Sequence, residues 1–480
     1  MSAYTAYLFT LCVSIVLYRL SPFHPLAQYP GPLLYKITKL AGVWASYSGR
    51  HHLILKALHD KYGPVVRIGP NDLSMVDANA VVTVLGPNGL PKGRYYDGRR
   101  DPSAPMNLVS MEPGEMHTRR RRLWSRGLGS ESLKDYEDII AERARELVDG
   151  LERHSSGVVD IVKWINFFTF DFMGHMAFGQ GYGMLHVGAD EASYWPVIEN
   201  FAQSAAMVCH IPWAMPLVQK LPFVAKDLLK MRKLGVDSAT ARMNRGSKSK
   251  DLYYHLSDEP GYEAQKPNVR EVVADGALAI IAGADTTSSA MSSLLYFLMR
   301  DYERMRRLQE EVDHVYPDTD HVLDSSKHSE LKYLNACINE ALRLHPPVPT
   351  GGPREVQEGT GARMIAGHAI PEQTQIYIPS YVLHRDPRYY PDAPDLFKPE
   401  RWLDDRGTPN PTAFIPFSFG PANCIGRHLA RREMVMVMSL LLRKFELRFA
   451  EGFDVDSWPG TLHDYFVSAR GPLLIRLQIR

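Results

Sequence analysis

The stretch from Asn268 to Arg300 contains no proline and is mostly apolar. Read as one helix, at about 1.5 Å of rise per residue it is about 50 Å long. A helix that long and that apolar has to pass through the body of a domain, because only burial covers apolar faces on several sides. Asn268 followed by Glu271 predicts its start as a capping box. The rest of the chain agrees with a mostly helical body. Most segments from Ser130 to Leu256 read as amphipathic helix, broken at Pro212, Pro216 and Pro222. From Ser329 to His345, Leu331, Leu334, Ile338, Ala341 and Leu342 share one face, and Pro346 and Pro347 stop the helix. A final helix follows Gly426, with Leu429, Met436, Val437 and Leu440 in one stripe. Strand signals are fewer: a hairpin within Gly63–Asp77, and alternation from Met364 to Tyr381 with a turn at Pro371. The fold class is mainly α with a smaller β part.

At about 150 residues per domain, 480 residues suggest about three domains, yet no repeat or Gly/Ser linker divides the chain. Lys+Arg 55 against Asp+Glu 54 leaves no overall basic character, which argues against nucleic acid as a partner. Four cysteines in so long a chain exclude a disulfide framework; Cys12, Cys209 and Cys337 read as buried structural thiols.

The amino end is uncharged from Met1 to Tyr18 and strongly apolar. It just reaches the length that a bilayer requires. The first basic residue, Arg19, follows the apolar run, which opposes a cleaved signal peptide. With Lys36 and Lys39 it places the remainder in the cytosol. Pro22, Pro25, Pro30 and Pro32 then read as a semi-rigid spacer. The expected organisation is an anchor at 1–20, a proline-rich hinge at 21–50, and one catalytic domain at 51–480.

The chemistry concentrates in Phe417-Ser-Phe-Gly-Pro-Ala-Asn-Cys424-Ile-Gly426. A single cysteine precedes a helix, whose N-terminal N–H groups and dipole favour a thiolate. Gly420 and Gly426 let backbone approach something flat. One thiolate ligand suits haem iron, to which the porphyrin already gives four nitrogens.

This segment resembles the haem-binding loop of the cytochrome P450 family, F-x-x-G-x-R-x-C-x-G, with GPANC similar to a subset of fungal microsomal members. Phe417, Gly420, Cys424 and Gly426 match; Ala422 stands where the family has an arginine that helps bind a haem propionate. Three more motifs follow the family's order. Glu340-Ala-Leu-Arg343 is similar to its E-x-x-R helix, and Phe397-Lys-Pro-Glu-Arg401-Trp to its second-arginine motif, which implies a structural network of Glu340, Arg343 and Arg401. His384-Arg-Asp-Pro resembles the segment between them. Ala282-Gly283-Ala-Asp285-Thr286-Thr on the long helix resembles the oxygen-activation motif. There Gly283 leaves room for oxygen and substrate, Asp285 relays protons, and Thr286 bonds a carbonyl one turn back or holds a water.

The resemblance implies haem b (iron protoporphyrin IX) ligated by Cys424, with His117, Arg121 and Arg354 as propionate contacts. It implies electrons from NADPH through the FAD and FMN of a cytochrome P450 reductase, with cytochrome b5 as a further donor. It also implies a single-pass endoplasmic reticulum protein and monooxygenation of a lipophilic small molecule, in secondary metabolism or detoxification. Arg119 to Arg122 read either as a solvated face or as a docking patch for the electron donor. Gly179-Gln-Gly181-Tyr-Gly183 is not a dinucleotide fingerprint, so the chain shows no nicotinamide site of its own. By family position the substrate would meet Met106–Met111, Phe201–Met207, Ala279, Ala282, Val348–Gly351 and Tyr465–Phe466. The alternatives are a haem-thiolate isomerase, dehydratase or peroxygenase, or a haem sensor; the Asp285-Thr286 pair argues for reductive oxygen activation.

Overall fold

A computed structural model of the chain describes residues 2–100, 104–246, 249–317, 322–403 and 410–480. Helix α1 (Ser2–Leu20) is long and apolar enough to cross a membrane, with a mean hydropathy of 1.5 over Ala3–Leu20 and none of that window buried. Cys12 lies exposed on it, so its reading as a buried thiol is corrected; Cys209 and Cys337 are buried.

Residues 21–50 do not stand off as the hinge expected from their prolines. Leu26 and Tyr29 are buried in a core cluster, and Arg67 N donates to Pro30 O at 2.7 Å. At Gly31 a Cβ would lie 2.2 Å from Arg67 O, so glycine is required for this approach. Proline blocks helix here, but the extended path it imposes lets the segment pack on the body. Helix α2 (Leu40–Tyr47) buries Ala41 and Ala45, and Lys39 pairs with buried Asp72. Helix α3 (His51–Tyr62) follows.

The expected hairpin is present as β1 (Val65–Gly69) and β2 (Asp72–Met75), antiparallel with Val65 opposite Met75. The sheet is completed by β3 (Arg354–Glu355) and β4 (Gln375–Tyr377) in the order β1-β2-β4-β3, with β2 and β4 parallel. Short strands from distant parts of the chain thus bring Arg354 beside the amino-terminal third.

Helix α4 (Glu115–Gly127) carries the arginine run. Helix α5 (Ile161–Phe178) is buried along nearly its whole length, and α6 (Tyr194–Val208) packs against α2. The long helix is α7 (Val269–Met299). Asn268 caps it by accepting from Arg270 N at 2.9 Å, whereas Glu271 turns to Arg120, 3.6 Å away. A Cβ at Gly283 would meet Met173 Cε at 2.4 Å, so the Met173 side chain of α5 packs into the space this glycine leaves on α7. Helix α8 (Lys332–Leu344) starts three residues later than Ser329 suggests, because the Glu311 carboxylate accepts from Tyr333 N and Leu334 N at 2.7 and 2.9 Å. Helix α9 (Arg427–Lys444) follows the cysteine loop, and β5 (His463–Tyr465) and β6 (Val467–Ala469) form a hairpin. The larger hydrophobic core surrounds α5, α7, α8 and α9; a second one backs the four-stranded sheet. The chain carries one mainly helical body rather than three domains, in agreement with the fold class read from its sequence.

Candidate active site

Between α7 and the cysteine loop lies a cavity of about 350 Å³. Cys424, Phe417 and Gly426 line one side, Ala279, Ala282, Gly283 and Thr286 the other, and His117, Arg121 and Arg354 also reach it. Of the expected catalytic and haem-binding residues, only Asp285 is absent from the wall.

The loop is shaped by its backbone. Cys424 N donates to Phe417 O at 2.8 Å. Gly420 takes φ +72°, and a Cβ there would lie 2.0 Å from Leu85 O, so its role is packing on the neighbouring loop. Nothing lies within 4 Å of a Cβ built at Gly426, which leaves that side of the cavity open. The accessible surface of Cys424 belongs to the cavity wall; the thiol is desolvated, and burial raises it above its ordinary value. The Gly426 N–H, Arg121 and Arg427 oppose that shift without overcoming it. Burial thus works against the thiolate that the helix terminus favours, and a bound metal cation would favour the thiolate.

The polar rim is strongly basic. Lys92, His117, Arg121 and Arg354 all line the cavity, and none of its described lining residues is Asp or Glu. Lys92 bridges to Arg354 across strand backbone, and its Nζ donates to the carbonyls of Leu108 and Val109 at 3.1 and 2.6 Å. Burial first, then Arg354 and Arg121, pull Lys92 down to about 7. Burial, then Lys92, Arg121 and Arg354, bring His117 to about 4. Arg354 is 5% exposed, and its Nε and Nη1 are buried without a hydrogen-bond partner. Arg121 donates to Asn423 Oδ1 at 2.7 Å. Two arginines, a lysine held near 7 and a neutral imidazole, with unspent donors on Arg354, fit a ligand bearing carboxylates. With one cysteine facing the cavity and open space at Gly426, the residues present fit haem: a flat group with two propionates and an iron that takes a single thiolate.

Thr286 Oγ1 donates to Ala282 O at 2.7 Å, the expected bond one turn back. Asp285 faces away from the cavity. Its Oδ1 lies 3.1 Å from Arg470 Nη1, and the other arm of Arg470 donates to Asn166 Oδ1 and Ser288 Oγ at 2.7 and 2.6 Å. Burial raises the Asp285 carboxyl, with Arg470 opposing.

The arginine run divides as helix geometry requires. Arg120 is buried against Asp275 at 2.7 Å, Arg121 enters the cavity, and Arg122 is exposed beside Glu263 at 3.3 Å. Only part of the run is left for a surface patch. Behind the loop, Glu340 is fully buried and accepts five hydrogen bonds of 2.8–3.0 Å: two from Arg343 and one each from Arg401 Nε, Trp402 Nε1 and Lys398 N. Burial alone would raise Glu340; Arg343 and Arg401 hold it below the ordinary range. Arg343 also donates to His384 O at 2.7 Å, and His384 Nε2 accepts from Ile415 N at 2.9 Å, which ties α8 to the loop.

Among the expected substrate contacts, Leu108, Val109, Ala279, Ala282, Val348, Thr350, Gly351 and Phe466 line the cavity. Phe201–Met207 and Tyr465 do not; Tyr465 accepts instead from Gln203 at 3.1 Å. Sequence reasoning missed Lys92 and Arg470, which lie in no motif and are placed only by strand pairing and the terminal hairpin.

A family model described as Cytochrome P450 matches residues 27–471. Cytochrome P450 monooxygenase cpaH of Aspergillus oryzae is 34% identical, across 97% of this chain and 91% of that protein. Tryprostatin B 6-hydroxylase of Aspergillus fumigatus is 32% identical, across 96% and 82%. Trichothecene C-15 hydroxylase of Fusarium sporotrichioides is 33% identical, across 92% and 90%.

Proposed function

The chain belongs to the cytochrome P450 family, and from that membership we propose that Cys424 ligates the haem iron while Lys92, His117, Arg121 and Arg354 hold the propionates. It is a monooxygenase of the class that oxidises an organic substrate with O2. Bound haem supplies oxygen activation, which a cysteine thiolate assists by electron donation. The chain's own residues do the rest. Phe417 and Gly426 shape the thiolate side. The apolar wall of Leu108, Val109, Ala279, Ala282, Val348 and Phe466 orients a lipophilic small molecule and excludes water. Thr286 presents its hydroxyl at the cavity wall. Asp285, behind the wall, takes up protons when its carboxylate leaves Arg470 and passes them toward Thr286.

A fungal secondary metabolite fits the apolar wall, and two relatives are named for hydroxylating such compounds. Electrons come from NADPH through the FAD and FMN of a cytochrome P450 reductase, with cytochrome b5 as a second donor. Exposed Arg122 and half-buried Arg119 of α4, with the exposed Arg427 and His428 of α9, form the donor's docking face. Helix α1 anchors the chain in the endoplasmic reticulum membrane with its body in the cytosol.

The observation that carries this reading is one desolvated cysteine sharing a cavity with Lys92, His117, Arg121 and Arg354, and with no carboxylate among the described lining residues. The test is a reduced-CO difference spectrum of the full-length protein in microsomes. The red-shifted thiolate band is expected, together with its loss in Cys424→Ala. Folded, haem-loaded protein without that band overturns the assignment.

A further inference from the structure

A second, much smaller cavity of about 10 Å³ lies beyond Thr286 on α7. Its wall includes His52 of α3, Ser289 and Ser293 of α7, and His345 at the end of α8. Ala282, Thr286, Ser289 and Ser293 recur at helical spacing and share one face of α7. The first two border the large cavity and the last two the small one. A stripe of small residues is not itself a site. Here, however, two imidazoles converge on it. His52 is 4% exposed and its Nδ1 is buried without a hydrogen-bond partner; His345 Nδ1 is buried and unpartnered as well.

Burial brings His52 to about 3 and holds His345 well below its ordinary value. Both rings are therefore neutral at physiological pH, and each offers either an N–H or a lone pair. Leaving two such nitrogens unsatisfied carries the full desolvation penalty of each, whereas a single water with two to four polar partners satisfies them at small entropic cost. The volume sits at the lower limit for one water and is too small for anything larger.

We propose that this cavity binds one structural water molecule, held by His52 Nδ1, His345 Nδ1 and the hydroxyls of Ser289 and Ser293. The water ties α7 to α3 and to the end of α8 on the face that carries Thr286. It holds that turn of α7 in place, next to the large cavity.

The test is a high-resolution crystal structure of the full-length protein, compared with Ser293→Val, whose added methyl groups fill the cavity. Ser292→Ala serves as the control: its hydroxyl is also buried and unpartnered but does not line the cavity. One density peak within hydrogen-bond reach of both Nδ1 atoms is expected in the parent and in Ser292→Ala, and none in Ser293→Val. Hydrogen exchange should then quicken at amides 286–293 in Ser293→Val and stay at the parental rate in Ser292→Ala. A parent map that shows other buried waters but none here overturns the proposal. So does unchanged exchange in Ser293→Val.

Discussion

Replacing Asp464 by asparagine isolates the cost of one buried charge at the edge of the large cavity. Asp464, in β5, is 3% exposed. It accepts from Thr350 Oγ1 and from Phe466 N, the latter at 3.1 Å. Phe466 lines the cavity with φ +80°, a strained value for a bulky residue, so this carboxyl pins a turn that shapes the substrate wall. Burial raises Asp464 from 3.8 to about 6, with Thr350 and the Phe466 N–H opposing. The unfolded chain ionises first. Folded and unfolded forms are both protonated below about pH 4, so the group costs nothing there. As pH rises to about 6 the unfolded form loses its proton while the folded form keeps it, and stability falls. At about 1.4 kcal/mol per pH unit of displacement, the loss reaches about 3 kcal/mol and stays constant above pH 6. Asparagine keeps an acceptor for Phe466 N and can donate to Thr350 Oγ1. Asp464→Asn should therefore match the parent near pH 4 and exceed it by up to about 3 kcal/mol at pH 7. Urea unfolding in detergent from pH 4 to 7.5 measures this, followed by tryptophan fluorescence. A difference that does not change with pH, or a variant less stable at pH 7, refutes the reasoning.

Glu340→Gln leaves the buried Arg343 and Arg401 without their counter-ion and should cost about 3–5 kcal/mol; a change below about 1 kcal/mol in the same unfolding assay counts against the network. Arg470→Met removes the cation that opposes the rise in Asp285, so the Asp285 carboxyl should titrate at higher pH than in the parent. The infrared carbonyl band of a protonated acid reports this, with Asp285→Asn as the blank. Lys92→Met withdraws one charge-assisted contact of about 1.5–3 kcal/mol and should release haem about tenfold faster to a scavenging apoprotein; an unchanged rate removes Lys92 from the cradle.

What the sequence made legible follows from the range of each physical signal. The long helix is predicted nearly to the residue, Asn268–Arg300 against Val269–Met299, because proline exclusion and continuous apolarity are local properties. Cys424, Phe417, Gly426, Thr286 and the Glu340-Arg343-Arg401 set were legible because each motif is short and their order along the chain is informative. Long-range packing was not legible. The prolines of residues 21–50 say that helix is blocked, but not that Leu26 and Tyr29 find a core. Four arginines in a row say that a helix displays charge on several sides, but Asp275, which draws Arg120 inward, lies on another helix. Gly283 announces a close approach without saying that Met173 makes it.

The departure at Ala422 belongs to the same class. In the family pattern an arginine at that place meets a propionate, and its loss looks like a weakened cradle. What a dianion requires is a sufficient positive field within a desolvated pocket, and charge from any element serves. Lys92 enters the same cavity from far upstream, through its backbone bridge to Arg354. Its value near 7 reflects burial first and the charges of Arg354 and Arg121 second. A further arginine there would add repulsion to Arg121, Arg354 and Lys92 before any ligand arrived. A small residue at 422 and a buried lysine at 92 thus form one electrostatic solution, in which carboxylates bound at the rim would favour the charged form of Lys92.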